Sequence, residues 1–523
     1  MSSPGPAAWH RDENRFLTFA RNVSTRYVGI VVGAIAGLLV LPINIHYLGR
    51  SAYGLWMLTA SITAYFSVLE LGYGSAVIRF VAEYRARRDV RALNEILSTL
   101  FTVFTVMGVI VYAIAIVVAW FLPAIFNLEP GQVDTGRVIL LIIAANVAIH
   151  FVFAVYGGVV NGFERYYLNN VIGTAAMIAV AAVNVVVLWL GYGLIELVVA
   201  TTLVRMAPYY LYRRNARAVF PALRLSFRLF RRERLREVTG FSIYLAIIDW
   251  SSRLNYALDA FTIGIFLNTA AVGVYSVGLR LSEALFRMTN QLHTFLFPAV
   301  VQQATEGRID AQRQLLVQAT RFQLAVALAL CGMVIGVADV LIRTWVGPGF
   351  DEGVLTAQLL AFVVVLRAWM GIPGTVLKGS GRPGFVAGAA AGCAVANVLL
   401  SVLLVNVIGL VGVALGTVIP VTIVAAFAIF PAACRAVELS VPTAYRRIVW
   451  PAVWPALVAI AAVALTRHLI PLRLAAVLAH MAIGALAYAA LFLTCGLERD
   501  ERQWLTTKLN ELWKRRSQVL AAA

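Results

Sequence analysis

Ionisable residues interrupt several of the long apolar runs in this sequence, and the richest set lies near its middle. Arg280, Glu283 and Arg287 follow one another at i, i+3 and i+7, so on a helix they share one face. A charged side chain near the centre of a bilayer costs about 2.5–3.5 kcal/mol, so each one needs a partner or a function. Because two arginines face one glutamate, the pattern favours a cationic wall that binds an anionic group. An internal Arg–Glu–Arg network that ties helices together is the structural alternative.

A further arginine, Arg367, lies in the middle of a later apolar run and is followed by Gly371-Ile-Pro-Gly374. Proline between glycines favours a kink or break in a helix, which frees backbone carbonyls toward a cavity. At an offset of 217 residues, Arg367 corresponds to His150 near the middle of an earlier run. The pairing predicts that both residues line one cavity, while a hydrogen-bonded core position is the alternative for His150.

Acidic residues in the apolar runs are candidates for binding a coupling ion, H⁺ or Na⁺: Glu70, Asp249 and Asp259. Asp249 and Arg253 are four residues apart and can neutralise each other, which makes Arg253 either a structural partner or part of the cationic wall. Asp259 lies off that face, so it either pairs with an arginine of the Arg280 run or carries the coupling ion. Three further charges lie near run ends, where side chains reach the lipid headgroups: Glu196, Arg205 and Asp339.

The composition determines which elements carry these residues. Hydrophobic residues make up 61% of the 523 and charged residues 13%, against about 25% charged in soluble proteins. A soluble enzyme is thereby excluded, and a single-span receptor is excluded because the apolar content continues along the whole chain. Runs of about 20 residues form helices in lipid, where unpaired backbone groups are too costly. Fourteen such spans are predicted, at roughly 27–47, 54–78, 97–123, 137–158, 168–190, 194–212, 239–265, 271–298, 316–343, 355–377, 384–406, 409–433, 448–467 and 472–495.

Lysine and arginine are concentrated in the termini and in the even-numbered loops, which by the positive-inside rule places both termini in the cytoplasm. The net charge of +18 is then a consequence of topology rather than a sign of nucleic-acid binding. The first 26 residues are polar and charged, which predicts that no cleavable signal peptide is present.

Three short segments recur at similar offsets, which indicates an internal repeat. They pair Leu48–Trp56 with Leu267–Tyr275, Gly162 and Arg165 with Gly379 and Arg382, and Gly193-Leu-Ile with Gly409-Leu-Val, at offsets of 219, 217 and 216 residues. Six spans per half give both halves the same orientation, so an axis along the membrane normal relates them. We predict an all-α polytopic membrane protein with two six-helix lobes around a cavity and two further helices. Its parts are a cytoplasmic N-terminus (1–26), an N-lobe (27–212), a basic cytoplasmic linker (213–238), a C-lobe (239–433), helices 13 and 14 (434–495) and a cytoplasmic C-terminus (496–523).

The basic linker contains the stretch Leu223–Arg236, in which arginine alternates with leucine and phenylalanine. This pattern suits a helix that lies on the inner leaflet. An ordinary solvated linker that follows the positive-inside rule is the alternative. Either interpretation places the boundary between the two halves here.

The sequence lacks the usual signatures of catalysis. It has no Walker motif, HExxH or GxSxG, and no loop is long enough for a catalytic domain. Its four cysteines lie singly in apolar stretches, without the spacing of a metal site: Cys331, Cys393, Cys434 and Cys495. We therefore expect a transporter rather than an enzyme, without a cofactor or metal, and driven by an ion gradient, the membrane potential or onward metabolism of its substrate.

Several of these segments resemble one known family. Leu48–Trp56 reads L-G-R-S-A-Y-G-L-W, Leu69–Gly74 reads L-E-L-G-Y-G, and Arg79–Glu83 reads R-F-V-A-E. Together with Leu258–Gly264 and Ala271–Leu281, they resemble bacterial polysaccharide transporters, the Wzx-type flippases of the multidrug/oligosaccharidyl-lipid/polysaccharide (MOP) superfamily. The resemblance covers the chain up to the last two predicted spans.

The resemblance implies a MATE-like fold in a bacterial or archaeal plasma (inner) membrane. It implies a flippase that moves a polyprenyl-pyrophosphate-linked oligosaccharide to the outer leaflet by alternating access, for surface polysaccharide, exopolysaccharide or O-antigen synthesis. Besides this substrate and membrane lipids, a polysaccharide polymerase and glycosyltransferases are the expected partners, and nucleic acid is not. Family members often have aspartate where this chain has Glu70. A lipid II flippase and a MATE-type drug antiporter, which would favour an acidic cavity, are the alternatives; a membrane scaffold would not need buried charges.

Overall fold

The computed structural model describes residues 15–66, 73–239, 258–289, 300, 302–303, 306–497 and 501–502. All regular secondary structure in these ranges is helical. The main helices are α1 (Arg15–Phe66), α2 (Tyr73–Arg87), α3 (Val90–Ile125), α4 (Gln132–Gly162), α5 (Tyr166–Trp189), α6 (Leu194–Val219), α7 (Thr269–Thr289), α8 (Ile309–Trp345), α9 (Gly353–Gly379), α10 (Pro383–Ile423), α11 (Phe430–Ala436), α12 (Trp450–Thr466) and α13 (Leu474–Leu491). Shorter pieces are the α-turn Val441–Ala444, the 3₁₀ turns Phe227–Leu229 and Arg467–Leu469, and the π-helical turns Val424–Ile429, Tyr445–Val449 and Phe492–Gly496. Residues 232–239 and 258–266 are also helical.

Ten helical segments in the described ranges are long and apolar enough to cross a membrane. Two of them each join a pair of predicted spans and are interrupted where the sequence predicts a loop, at Gly49 in α1 and at Gly409 in α10. Both glycines have positive φ, 74° and 61°, a conformation that a residue without a Cβ adopts readily. The predicted all-helical membrane fold is confirmed, and the predicted spans 54–78, 239–265 and 271–298 lie partly outside the described residues.

The two parts of α10 fold back on each other beyond the break at Gly409. A Cβ on Gly412 would lie 2.3 Å from the Leu404 carbonyl oxygen, and one on Gly416 would lie 2.3 Å from Ser401 Oγ. Small residues let two helix backbones approach this closely. The loop predicted between 406 and 409 is therefore a tight helical hairpin.

The chain divides into two compact units, Met1–Arg280 with Ala390–Thr417, and Leu281–Ala389 with Val418–Ala523. In the first unit, α4 packs against α1, α2, α3 and α6, and α5 packs against α1 and α6. One unit boundary falls inside α7 rather than in the basic linker, and the predicted lobe boundaries stay a prediction.

In the second unit, α8 packs against α9, α12 and α13. Gly332 and Gly336 form a small-residue pair, four residues apart, on the side of α8 that faces α12. A Cβ on these glycines would lie 2.7 Å from Ile460 and 3.3 Å from Val463. The helix α12 thus docks on α8 through a glycine ridge.

Two predicted local structures are wrong. The expected break around Pro373 is absent, because α9 continues through it and the Thr375 hydroxyl donates to the Gly371 carbonyl at 2.9 Å. The expected helix over Leu223–Arg236 is also wrong, because residues 223–226 are non-helical and helix resumes only at residue 232. Pro373 removes one N–H, and α9 keeps its helical geometry around it. Around residues 222–231, side chains of α3 that the local pattern does not reveal satisfy the backbone instead.

Candidate functional site

A cavity of about 570 Å³ lies inside the first unit, between the second half of α1, α4, α5 and α6. Its apolar wall includes Trp56 and Met177. Seven polar side chains line it: Thr63, Asn146, His150, Thr201, Thr202, Arg205 and Tyr209. No aspartate or glutamate of the described ranges is part of the lining. The volume lies within the range of about 300–1,000 Å³ that is typical of small-ligand sites.

Arg205 provides the positive charge of this cavity. It lies on α6 between Thr201 and Tyr209, at i, i+4 and i+8, so the three residues share the face that borders the cavity. In the part of the chain that the structure describes, its guanidinium has neither a carboxylate partner nor a hydrogen bond. Another cation, Arg280, lies near enough to repel the Arg205 guanidinium electrostatically. The cavity is thus electropositive and presents a guanidinium to a ligand.

His150 and Asn146 lie one turn apart on α4 and border the same cavity. The His150 ring is 5.9 Å from the Tyr209 ring, and the Tyr209 hydroxyl donates a long hydrogen bond of 3.5 Å to Asn146 Oδ1. Asn146 Nδ2 is buried and has no acceptor among the described groups. A buried donor without an acceptor is costly, so a ligand or water oxygen is expected there. His150 lies on the cavity wall, and its functional role stays a prediction.

The predicted cationic stripe lies on α7, which is continuous from Thr269 to Thr289. Arg280 and Glu283 are half-buried, and Arg287 is exposed. Arg280 Nη2 lies 3.5 Å from Met57 Sδ of α1. None of the three side chains lines the described cavity, although Arg280 lies near enough to Arg205 to interact with it electrostatically. Their role in substrate binding stays a prediction.

Arg367 is half-buried on α9, and its guanidinium lies 5.8 Å from the centroid of the Phe286 ring. This distance is that of a cation–π contact. Arg367 is not part of the lining around His150, so the shared lining predicted for these two residues stays a prediction. Three other candidates lie outside the described residues: Arg253, Glu70 and Asp249.

Asp259 is buried, with 3% of its surface exposed, within the helical residues 258–266. The Tyr275 hydroxyl of α7 donates to Asp259 Oδ2 at 2.5 Å. The Tyr65 hydroxyl lies within electrostatic range and is itself buried without a hydrogen bond among the described groups. Asp259 thus contacts the helix that the sequence suggested, through a tyrosine. Its role as a coupling residue stays a prediction.

A second feature of the first unit is a close crossing of α1 and α7, which we call the glycine crossing and define by Ser51, Gly54, Gln132, Thr269 and Gly273. A Cβ on Gly54 would lie 1.7 Å from the Thr269 carbonyl oxygen. A Cβ on Gly273 would lie 2.1 Å from the carbonyl oxygen of Arg50. Backbone therefore packs directly on backbone here, which no other residue type permits.

Three side chains form a hydrogen-bonded ring at the glycine crossing. Gln132 Nε2 donates to Ser51 Oγ at 2.7 Å, and Thr269 Oγ1 donates to Gln132 Oε1 at 2.8 Å. The two hydroxyl oxygens are 3.3 Å apart, which closes the ring. Gly54 and Gly273 are the residues that the predicted repeat pairs at an offset of 219. The crossing therefore joins two segments that the sequence pattern pairs.

Two arginines have positions that the sequence interpretation missed. Arg205 was attributed to the lipid headgroup region, but it lies on the cavity wall. Its alignment with Thr201 and Tyr209 on one helix face was the available signal. Arg321 of α8 is only 2% exposed, donates to the Arg447 carbonyl at 3.2 Å and pairs with Glu501. Nothing in the apolar pattern around Arg321 pointed to that partner.

Comparison with known proteins places this architecture in a family. Residues 19–303, more than half of the chain, match the family described as polysaccharide biosynthesis protein. The uncharacterized membrane protein EpsK of Bacillus subtilis (strain 168) is 21% identical over 378 residues, which cover 68% of this chain and 70% of EpsK.

Among solved structures, the lipid II flippase MurJ in an inward closed conformation gives a TM-score of 0.69 at 12% identity, covering 90% of this chain and 97% of MurJ. A multidrug resistance MATE family transporter of the MOP superfamily, in an inward-facing conformation, gives 0.59 at 16% identity, covering 77% and 98%. These likenesses show the fold. The chain is therefore a multi-pass membrane protein with the fold of MOP-superfamily transporters, and it belongs to the polysaccharide biosynthesis protein family.

Proposed function

We propose that this protein is a flippase that moves a polyprenyl-diphosphate-linked oligosaccharide from the inner to the outer leaflet of the plasma membrane, for surface polysaccharide, exopolysaccharide or O-antigen synthesis. Two findings support this proposal. The chain belongs to a polysaccharide biosynthesis family, which supports a glycan substrate, and it has the fold of a transporter, which supports a translocation process. The observation that carries the proposal is the Arg205 guanidinium, which faces a cavity with seven polar side chains and no acidic residue in its described lining. Guanidinium binds phosphate or carboxylate oxygens through two parallel hydrogen bonds.

The remaining lining suits the sugar part of such a substrate. The hydroxyls of Thr63 and Thr202 and the buried amide of Asn146 offer donors and acceptors to sugar hydroxyls. Trp56 adds an apolar aromatic surface next to these polar groups. A cavity of about 570 Å³ holds the diphosphate or a short part of the glycan rather than the whole molecule.

Alternating access requires that one end of the transporter separates while the other closes. In this account the glycine crossing is the closed end. Its side-chain hydrogen bonds are each worth about 0.5–1.5 kcal/mol, which is small enough to be broken in each cycle. The Asp259–Tyr275 pair is our candidate for coupling this opening to an H⁺ or Na⁺ gradient. We place both termini in the cytoplasm, and a polysaccharide polymerase and glycosyltransferases are the proposed partners.

An antiporter for cationic drugs is disfavoured, because the described cavity wall carries Arg205 and His150 and no carboxylate. A lipid II flippase handles the same diphosphate chemistry and differs in the glycan that is attached. The likeness to MurJ concerns the fold and does not decide between these glycans.

The lipid-linked glycan content of cells that lack the protein tests the proposal. We expect a polyprenyl-diphosphate oligosaccharide to accumulate and surface polysaccharide to be lost, and the mass of the accumulated lipid would identify the glycan. Accumulated lipid II would instead assign the protein to cell-wall synthesis. An unchanged lipid pool together with new sensitivity to cationic drugs would reject the flippase in favour of the antiporter.

A further inference from the structure

The basic linker is a fixed part of the first unit rather than a free connection. We call residues 221–231 the strap. Asn94 of α3 holds it at two points, since its Nδ2 donates to the Ala222 carbonyl at 2.9 Å and its Oδ1 accepts from the Arg224 N–H at 2.8 Å. Asn94 is itself buried. The Asn94 amide acts both as a donor and as an acceptor to the strap backbone. These bonds take the place of the backbone hydrogen bonds that a helix would provide there.

Two buried hydroxyls of α3 continue the attachment. Ser98 Oγ donates to the Arg224 carbonyl at 3.1 Å and accepts from the Ser226 N–H at 3.2 Å. Thr99 Oγ1 accepts from the Arg231 N–H at 3.1 Å. The strap backbone is thus bound along successive turns of α3. Its side chains therefore have defined directions.

The surface that the strap turns outward combines arginine with phenylalanine. Phe227 and Phe230 are 56% and 37% exposed. Four arginines are exposed, and in the described part of the chain none of their guanidinium groups has an acidic partner: Arg224, Arg228, Arg231 and Arg232. A single acid, Glu233, lies between residues 221 and 236. Exposed large aromatic side chains beside unpaired cations mark a binding surface.

The strap lies where α3 changes from a polar to an apolar outer surface. Arg91 and Glu95 are in the first turns of α3, while exposed apolar side chains begin at Val106, which is 52% exposed. The Phe227 ring contacts Phe101, with their centroids 5.3 Å apart, just before that change. Aromatic rings and arginines are favoured at this level of a membrane protein, where hydrocarbon meets headgroups.

We propose that the strap is a binding surface for anionic phospholipid headgroups at the cytoplasmic boundary of the membrane. The exposed arginines bind the headgroup phosphate, and Phe227 and Phe230 enter the adjacent hydrocarbon. Charge complementarity selects this occupant, because the strap is strongly basic and anionic lipids concentrate in the leaflet that it faces. Because the strap is rigidly attached to α3, a bound lipid stabilises the first unit directly. The proposal does not depend on the transported substrate.

The test uses the purified full-length protein in neutral detergent, with phosphatidylglycerol and phosphatidylcholine as probes. Lipid retained per protein is counted by native mass spectrometry, and the thermal unfolding midpoint is measured in parallel. The triple variant Arg228→Gln, Arg231→Gln and Arg232→Gln removes charge from the strap. The matched control, Arg213→Gln, Arg214→Gln and Arg217→Gln, removes the same charge from the exposed end of α6.

We expect the wild type and the control to retain phosphatidylglycerol in preference to phosphatidylcholine, and the strap variant to retain at least about fivefold less of it. If the strap variant and the control retained equal amounts of phosphatidylglycerol, the proposal would be overturned. It would also be overturned if free inorganic phosphate raised the thermal unfolding midpoint of the wild type as much as phosphatidylglycerol does. A salt titration of the wild type tests the proposal even if the strap variant misfolds.

Added salt screens charges, so it should release phosphatidylglycerol from the wild type selectively. Retention of phosphatidylglycerol that does not change with salt would also overturn the proposal.

Discussion

The second half of α1 presents two opposite faces with very different packing. On one face, Gly54 and Leu58 meet residues 264–273 so closely that a Cβ on Gly54 or on Gly264 would lie within 2.6 Å of a neighbouring atom. On the other face, Trp56, Ala60 and Thr63 border a cavity of about 570 Å³. One face closes by backbone contact, and the other leaves room for a ligand.

Under the proposed function, this difference lets one helix serve both steps of transport. The closed face requires glycine and small hydroxyl residues, because the helices must approach to backbone contact. The open face requires polar side chains whose hydrogen bonds and charges are not satisfied within the protein, as with Arg205 and Asn146. Movement of α1 against α7 would therefore open the first contact without requiring a change in the chemistry of the second face.

The largest expected effect comes from locking the glycine crossing. Ser51 Oγ and Thr269 Oγ1 are 3.3 Å apart, so the double variant Ser51→Cys and Thr269→Cys should form a disulfide under oxidation. We expect nearly complete loss of glycan export in the cross-linked protein and recovery on reduction. Each single cysteine variant serves as a control. Normal export by the fully cross-linked protein would show that the crossing does not open.

Filling the crossing should have the next largest effect. Gly54→Ala places a Cβ 1.7 Å from a backbone oxygen, so the helices must separate, at a cost of about 1–3 kcal/mol or more. We expect a lower thermal unfolding midpoint and reduced export. Gly37→Ala on the same helix meets no atom within 4 Å and should leave both unchanged or raise the midpoint slightly. Equal behaviour of the two variants would contradict the close contact.

Arginines outside the described cavity test how far the anion-binding surface extends. We expect Arg287→Ala and Arg367→Ala to reduce glycan export strongly without changing protein levels, because each removes a cation from a span predicted by the sequence. Export and protein abundance are measured together in cells. Persistent export in both variants would restrict substrate binding to the cavity around Arg205.

The smallest effect is expected from the hydrogen-bonded ring. Gln132→Ala removes two hydrogen bonds, each worth about 0.5–1.5 kcal/mol, and leaves the glycine contact in place. We predict a modest decrease in the thermal unfolding midpoint and a less complete closure, measured as faster thiol modification in the reporter variant Ala52→Cys, which leaves all three residues of the ring in place. An unchanged modification rate would mean that the glycines alone hold the crossing closed.

The sequence predicted the features that depend on local pattern. Apolar length defined the spans, and glycine marked the breaks at Gly49 and Gly409. The repeat paired Leu48–Trp56 with Leu267–Tyr275 before the structure showed that these segments touch. Such features can be read from the residues of one segment or from the similarity between two segments.

Features that depend on residues distant in the chain could not be predicted from the sequence. Helical spacing placed Arg205 on one face of α6 but did not show that α1, α4 and α5 leave a cavity opposite that face. The Leu223–Arg236 pattern suited a helix, yet Asn94 and its neighbours on α3 bind an extended backbone instead. Periodicity describes one helix and does not specify what packs against it.

The most direct test of the central claim compares Arg205→Ala with Arg217→Ala, an exposed arginine on the same helix. The measurement is the amount of lipid-linked oligosaccharide in cells that carry each variant as the sole copy. We predict that cells with Arg205→Ala accumulate the lipid as strongly as a deletion strain, at normal protein levels, while cells with Arg217→Ala match the wild type. A wild-type lipid pool in the Arg205→Ala strain would contradict the assignment of this cavity to the substrate.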